Sequence, residues 1–215
     1  MRGNELLEWL ATLPAAARDA ALDQYLGIAD ATPASDPPGT DLIGYHASSV
    51  AAIVRAFIEV PLQPQDTFVD LGAGLGKVVL LAHLLTGARA RGIELQPELV
   101  ARSRHAARKL GIDIELEQGD AREAELETGT VFYLYAPFTG PALGAALVRL
   151  ERVAQRHAIV ICALGVDLPR AWLVPRASDS FWLTVYDSVV SGATPRSAGH
   201  SALKRSLADI VILER

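Results

Sequence analysis

Cysteine is nearly absent. Cys162 is the single one in 215 residues, so the chain forms no internal disulfide. Its place in the apolar run "AIVICAL" suits a buried thiol rather than a nucleophile or a metal ligand. No apolar run reaches the roughly 20 residues that a bilayer span requires. The opening "MRGNELLEWLATLPAAARDAALDQYL" is broken by acids where a signal peptide would keep a continuous core. The five histidines, at 46, 83, 105, 157 and 200, include no ligand-like pair, and no metal is expected. An excess of positive charge is also lacking. Residues 1–45 carry two arginines against seven acids, and the remainder balances 18 bases with 18 acids, for a net charge of −5. A nucleic-acid partner is therefore not expected, nor a membrane. The expectation is a cytoplasmic protein.

What is present is globular: half of the residues are apolar and a fifth are charged, enough for one α/β domain with a core. The first 45 residues read as a helical extension. "NELLEWLATL" and "PAAARDAALDQYL" form two short helices, the second opened by Pro14, and "ADATPASDPPGTD" forms a loop. This extension is expected to serve as a lid or an oligomer contact, ahead of a catalytic domain over 46–215. "SSVAAIVRAFIEV" reads as a helix with Ser48 or Ser49 as its cap. Strands are then expected at 67–71, 89–94, 112–117, 130–135 and 158–163, with helices at 75–86, 96–110 and 141–156. This alternation predicts a parallel sheet covered by helices on both faces. "FWLTVYDSVV" and "SLADIVILER", separated by "SGATPRSAGH", read as a closing antiparallel pair.

The densest motif is "DTFVDLGAGLGKVVLLAHLL". Its glycines, at 72, 74 and 76, follow the spacing G-x-G-x-G. A dinucleotide fingerprint needs glycine or alanine at 77, where lysine stands. A phosphate-cradling P-loop needs glycine at 71 and Ser or Thr at 78, where Leu71 and Val78 stand. Lys77 is thus expected to be an exposed residue of the first helical turn. Alternate glycines let the backbone pass close beneath a ligand, and Asp70 just ahead of the turn suits an ammonium group. Glu94 ends the second strand, 22 residues after Gly72, where an acid accepts ribose hydroxyls. Asp120, just past the third strand, is placed to accept an adenine amine. An ammonium, a ribose diol and an adenine amine together describe S-adenosylmethionine.

These residues resemble those of the class I, seven-strand S-adenosylmethionine-dependent methyltransferases. The similarity is greatest to the disruptor-of-telomeric-silencing histone-lysine methyltransferases and to small prokaryotic protein-lysine methyltransferases. It runs from about Gly44 to Gly165. The resemblance implies a Rossmann-like, mostly parallel seven-stranded sheet ending in an antiparallel pair. Tyr45 and Ser48 match cofactor-contacting positions ahead of the glycine turn, in which Ala73 lies. "GIEL" matches the ribose segment, including Leu95, and "GDA" the adenine segment, including Ala121. "FYLYAPFTGPAL" matches the active-site loop. Tyr135 stands there where the histone enzymes have asparagine, and Pro137 and Phe138 keep the shape of the Asn/Asp-Pro-Pro-Tyr/Phe motif.

Methyl transfer with S-adenosylhomocysteine as product is the implied activity, with the amine of a protein lysine as the expected acceptor. Tyr135, Pro137 and Phe138 are the expected catalytic residues and Tyr45 a further pocket wall. Tyr135 is counted also as a cofactor contact. Methylation of a small molecule, or a cofactor-binding module without transfer, are the alternatives. His46 beside Tyr45 reads as loop structure rather than a base. Trp172, Phe181 and Trp182 are expected to pack in the core or on the sheet.

Overall fold

The computed structural model describes residues 1–29, 46–136, 138–178 and 180–189. Tyr45, Pro137 and the expected strand at 206–215 lie outside the described residues. Two helices, α1 (Gly3–Thr12) and α2 (Ala15–Leu26), open the chain, followed by α3 (Val50–Glu59). Strands and helices then alternate: β1 (Thr67–Leu71), α4 (Lys77–Thr86), β2 (Arg89–Glu94), α5 (Pro97–Leu110), β3 (Glu115–Gln118), β4 (Val131–Tyr135), α6 (Gly140–Ala154) and β5 (Val160–Leu164). β6 (Leu173–Pro175) and β7 (Leu183–Ser188) follow. Among the described residues seven strands form one sheet, in the order β3-β2-β1-β4-β5-β7-β6. β1 to β5 pair in parallel, and β7 runs antiparallel to both β5 and β6. This is the expected Rossmann-like methyltransferase fold.

The central strands β1, β4 and β5 read as nearly continuous apolar runs because both sheet faces are covered there. Phe68, Tyr133, Cys162 and Leu164 alternate onto the face covered by α1 to α5, whereas Val69, Phe132, Leu134 and Ile161 face α6. The chain lays β2 and β3 on one side of β1, then crosses to place β4 on the other. That reversal opens a crevice at the carboxyl ends of β1 and β4, where ligands bind open α/β sheets.

The first two helices are built into this core. Leu6, Leu7, Leu10, Leu22 and Leu26 are completely buried in the same cluster as α3, α4 and the sheet. Arg18 is buried with them and donates from Nε to the Leu10 carbonyl at 3.1 Å, serving the open C-terminal end of α1.

Several sequence expectations are corrected. Lys77 is 4 % exposed, not a surface residue; α2 packs over the start of α4, and the ammonium meets Asp19 at 2.7 Å and Asp23 at 2.8 Å. β3 begins at 115 rather than 112, because Gly111 is left-handed and the Ile112 N–H still closes the helix cap on the Ala107 carbonyl. β7 pairs with β5 and with β6, a three-residue edge strand that periodicity is too short to reveal. Pro175 ends that edge strand, a position where proline is tolerated. Phe181 is 97 % exposed rather than packed: the pleat starts only at Leu183, so the ring lies in the bend before it. Trp172 and Trp182 are partly buried, as expected, against the two core clusters.

Candidate active site

The glycine turn links β1 to α4 with Gly72, Gly74 and Gly76 at φ of +86°, +54° and +75°, conformations that L side chains rarely adopt. It is pinned to β2 by hydrogen bonds from the Gly72 and Ala73 N–H groups to the Ile93 carbonyl, at 2.9 and 3.0 Å. Close approach also depends on Gly92, which the sequence reading overlooked. A Cβ there would lie 2.7 Å from that of Ala73 and 3.0 Å from Val79 Cγ2. A glycine in the interior of a strand was the available signal.

Glu94 ends β2 and holds the turn from the side. Its Oε2 accepts the Gly74 N–H and its Oε1 the Gln96 N–H, both at 2.8 Å. A carboxylate has roughly four acceptor positions, so this one is aimed by the backbone and keeps capacity for hydroxyl donors. Leu95 follows half-buried. Asp70, at the end of β1, is 3 % exposed, and its pKa is pushed up to about 8 by burial and then by the charge of Glu94. Two neighbouring carboxyls, one driven toward its neutral form, make a place where a cation relieves repulsion and a pyrophosphate is rejected.

Behind Asp70 stands Tyr133, its register partner on β4. The ring is buried, and its hydroxyl donates to Ser48 Oγ at 3.1 Å. Burial, the leading cause, raises the phenol pKa well above its ordinary value. Ser49 rather than Ser48 caps α3, accepting the Ala52 N–H at 3.1 Å. Ser48 is thereby left to meet Tyr133, a contact between positions 85 residues apart.

Asp120 follows β3, and its carboxylate is already engaged by Arg122. The guanidinium Nε reaches both oxygens, at 2.8 and 2.9 Å, and the Arg122 N–H reaches Oδ1 at 2.9 Å. The side-chain bonds from Arg122 hold the Asp120 pKa below its usual value. Ala121 is buried on the α6 side. Arg122 was not singled out from sequence, although "GDAR" places it two residues on.

Tyr135 ends β4 and is 41 % exposed. Its ring lies across Gly165, whose Cβ position would be 3.8 Å from Cε2. Ala136 follows at φ +36°, a left-handed backbone that for alanine stores roughly 1–3 kcal/mol of strain. Phe138 is buried among the α6-side residues, with Ala142 and Leu147. Of the expected catalytic residues, then, Tyr135 stands exposed at the sheet edge and Phe138 packs beneath α6. His46 is exposed. Among the described residues no group of three or more His, Cys, Asp or Glu is arranged to hold a metal, and no helix is long and apolar enough to cross a membrane.

Comparison with known proteins matches residues 68–157 to a family described as a methyltransferase domain. That stretch runs from β1 through α6 and contains the glycine turn, Glu94, Asp120 and Tyr135. Over those residues the chain matches a methyltransferase domain, and its seven-stranded sheet has the Rossmann-like methyltransferase architecture. The crystal structure of an RNA methyltransferase from Salinibacter ruber in complex with S-adenosyl-L-homocysteine is 26 % identical, with a TM-score of 0.56, over 72 % of this chain and all of that one. A histone-lysine N-methyltransferase of Cryptococcus neoformans, specific for H3 lysine 79, is 37 % identical over 75 residues, 30 % of this chain and 12 % of the relative. An uncharacterized protein of Methanocaldococcus jannaschii is 28 % identical over 90 residues, covering 42 % of this chain and 41 % of that protein. The chain thus spans about an eighth of the first curated relative and two-fifths of the second.

S-adenosylmethionine fits the residues present. The Asp70–Glu94 pair asks for a cation. Glu94 has hydroxyl-accepting capacity at the strand end, and the glycine turn admits a ligand without side-chain collision.

Proposed function

We propose that this chain is an S-adenosylmethionine-dependent N-methyltransferase whose acceptor is the side-chain amine of a protein lysine. One observation carries the proposal: the exposed Tyr135 stands on the same strand and sheet face as Tyr133, whose register partner is the buried acid Asp70. A phenol oxygen accepts a hydrogen bond from an amine, and its ring attracts the ammonium that precedes it. Support also comes from the lysine-specific relative, over the 75 residues that it shares with this chain. On this reading residues 46–215 form the transfer domain, and residues 1–45 the helical extension with Tyr45 at its border.

Asp70 would hold the ammonium of the cofactor's amino-acid tail, Glu94 its ribose, and Asp120 with Ala121 its adenine, with Ser48, Gly72, Ala73, Gly74, Gly76 and Leu95 lining the cradle. When bound, the cofactor supplies a methyl group already activated on a sulfonium. The protein must then orient the acceptor and exclude water. An acceptor ammonium must first lose its proton. Desolvation of the amine as the acceptor docks over Tyr135 lowers its pKa and favours that loss. Phe138, packed beneath α6, would fix the base of this loop.

Incubating the purified protein with methyl-labelled S-adenosylmethionine and a lysate of its host tests the assignment. Label in a protein band, released as methyl-lysine on hydrolysis, is the expected result. Label confined to small molecules, or to RNA, would replace the acceptor. Cofactor binding without any transfer would reduce the protein to a binding module.

A further inference from the structure

The residue after the glycine turn is a buried cation with partners on a different part of the chain. Lys77 begins α4 and is 4 % exposed. Its ammonium lies 2.7 Å from Asp19 Oδ1 and 2.8 Å from Asp23 Oδ1, two acids one turn apart on α2. The same Asp19 oxygen accepts the N–H of Val50 at 2.9 Å, the first residue of α3. Two residues before Val50, Ser48 accepts the bond from Tyr133, which stands behind Asp70. One carboxylate on α2 therefore joins two structures flanking the cofactor site: the α4 end of the glycine turn and the start of α3. Neither acid contributes to the site itself.

We propose that Asp19 and Asp23 are positioning residues for the cofactor site, acting through Lys77 to set the glycine turn and through Val50 to set Ser48. This rests on the cofactor assignment above. Lys77 has three donors and almost no access to water, so its position depends on the two carboxylates. Gly76, immediately before it, is at φ +75° and would carry a Cβ only 3.0 Å from that of Ser103 on α5. The turn is thus held from α5 on one side and through Lys77 from α2 on the other. A cradle fixed from two sides is pre-organised, and loss of one side is felt in ligand affinity before the ligand's own contacts change. On this inference the N-terminal helices are the outer brace of the cofactor site.

The test is calorimetric titration of the full chain with S-adenosylhomocysteine, well below each variant's own Tm. Asp19→Ala should raise Kd roughly tenfold and Asp23→Asn, which leaves the Val50 bond intact, about threefold. Asp19→Asn keeps an oxygen for Val50 and should recover part of the loss. Lys77→Met combined with Asp19→Ala should be non-additive in Kd, which simple loss of fold stability would not produce. Variants that lose Tm yet bind within twofold of the wild type would overturn the proposal, leaving the cluster as packing. If Asp19→Ala does not fold, an unchanged Kd in Asp23→Asn has the same force. A wild type that fails to bind S-adenosylhomocysteine would instead remove the cofactor assignment, and this inference with it.

Discussion

At the β1–β2 end of the sheet edge, Glu94 is clamped by the N–H groups of Gly74 and Gln96, and the glycine turn is tied to the Ile93 carbonyl. Asp70 there is buried and backed by Tyr133. At the β4–β5–β7 end, Tyr135 and Phe181 stand open to solvent and Ala136 holds a strained backbone. The first end is shaped before any ligand arrives, whereas the second presents side chains. A cofactor that is the same in every turnover rewards a rigid cradle. An acceptor that must enter, react and leave requires a surface.

If the first end is rigid for the sake of binding, removing its central carboxylate should have the largest effect. Glu94→Ala leaves two backbone donors without their acceptor and, on the proposed cofactor reading, the ribose hydroxyls as well, so S-adenosylhomocysteine affinity should fall by about 1–3 kcal/mol. Calorimetry on the folded variant checks this, and an unchanged Kd would break the contrast at its strongest point.

A smaller effect is expected from proton linkage at Asp70. Its folded pKa, about 8, lies above the ordinary carboxyl value. The protonated form is therefore favoured in the ligand-free fold, and the stability this gives is present at low pH and lost as pH rises through 8. A ligand ammonium needs the ionised form, so affinity should climb as pH approaches 8, by about tenfold between pH 6 and pH 7. Asp70→Asn should flatten that profile and raise the ligand-free Tm at pH 8. A wild-type affinity constant across this range would show that Asp70 does not titrate on binding.

The two ends also differ in how far the sequence reveals them. β1 falls on its expected residues as a short apolar run closed by the glycine turn, and β2, although charged at both ends, because it follows the left-handed Gly87 that stops α4. Gly111 marks the end of α5. The clamp on Glu94 could not be read, since its donors are backbone groups whose approach depends on Gly92 and the packing of Ala73. Lys77 was misjudged for a related reason: its partners Asp19 and Asp23 lie 58 and 54 positions earlier. The helix that carries them was expected as a lid or an oligomer contact, and the fold places it over α4. Arg122 and Tyr133 escaped notice because a residue's partner is set by the fold and not by local spacing. Phe181 shows the opposite error, where an aromatic beside a strand pattern was read into a pleat that starts two residues later.

Tyr135→Phe sharpens the comparison from the open end. It removes one hydroxyl and keeps the ring, so cofactor Kd should hold while kcat falls severalfold, in line with one lost hydrogen bond of about 0.5–1.5 kcal/mol. Equal loss in both would place Tyr135 in the rigid cradle, and no loss in either would leave it to packing against Gly165.

The smallest effect on the fold is expected at Phe181. Its side chain is almost entirely in water, so Phe181→Ala should change folding stability by no more than about 0.5 kcal/mol, as is typical of surface positions, with a correspondingly small shift in Tm. If the open end receives the acceptor, the same variant should raise KM for the acceptor while leaving S-adenosylhomocysteine Kd untouched, because an apolar ring held in solvent has contact area to offer only to a partner. A KM that does not move would confine acceptor recognition to Tyr135 and its neighbours. A fall in Tm beyond that range would mean that the ring packs against the fold in solution, and the open end would then be more closed than its exposure implies.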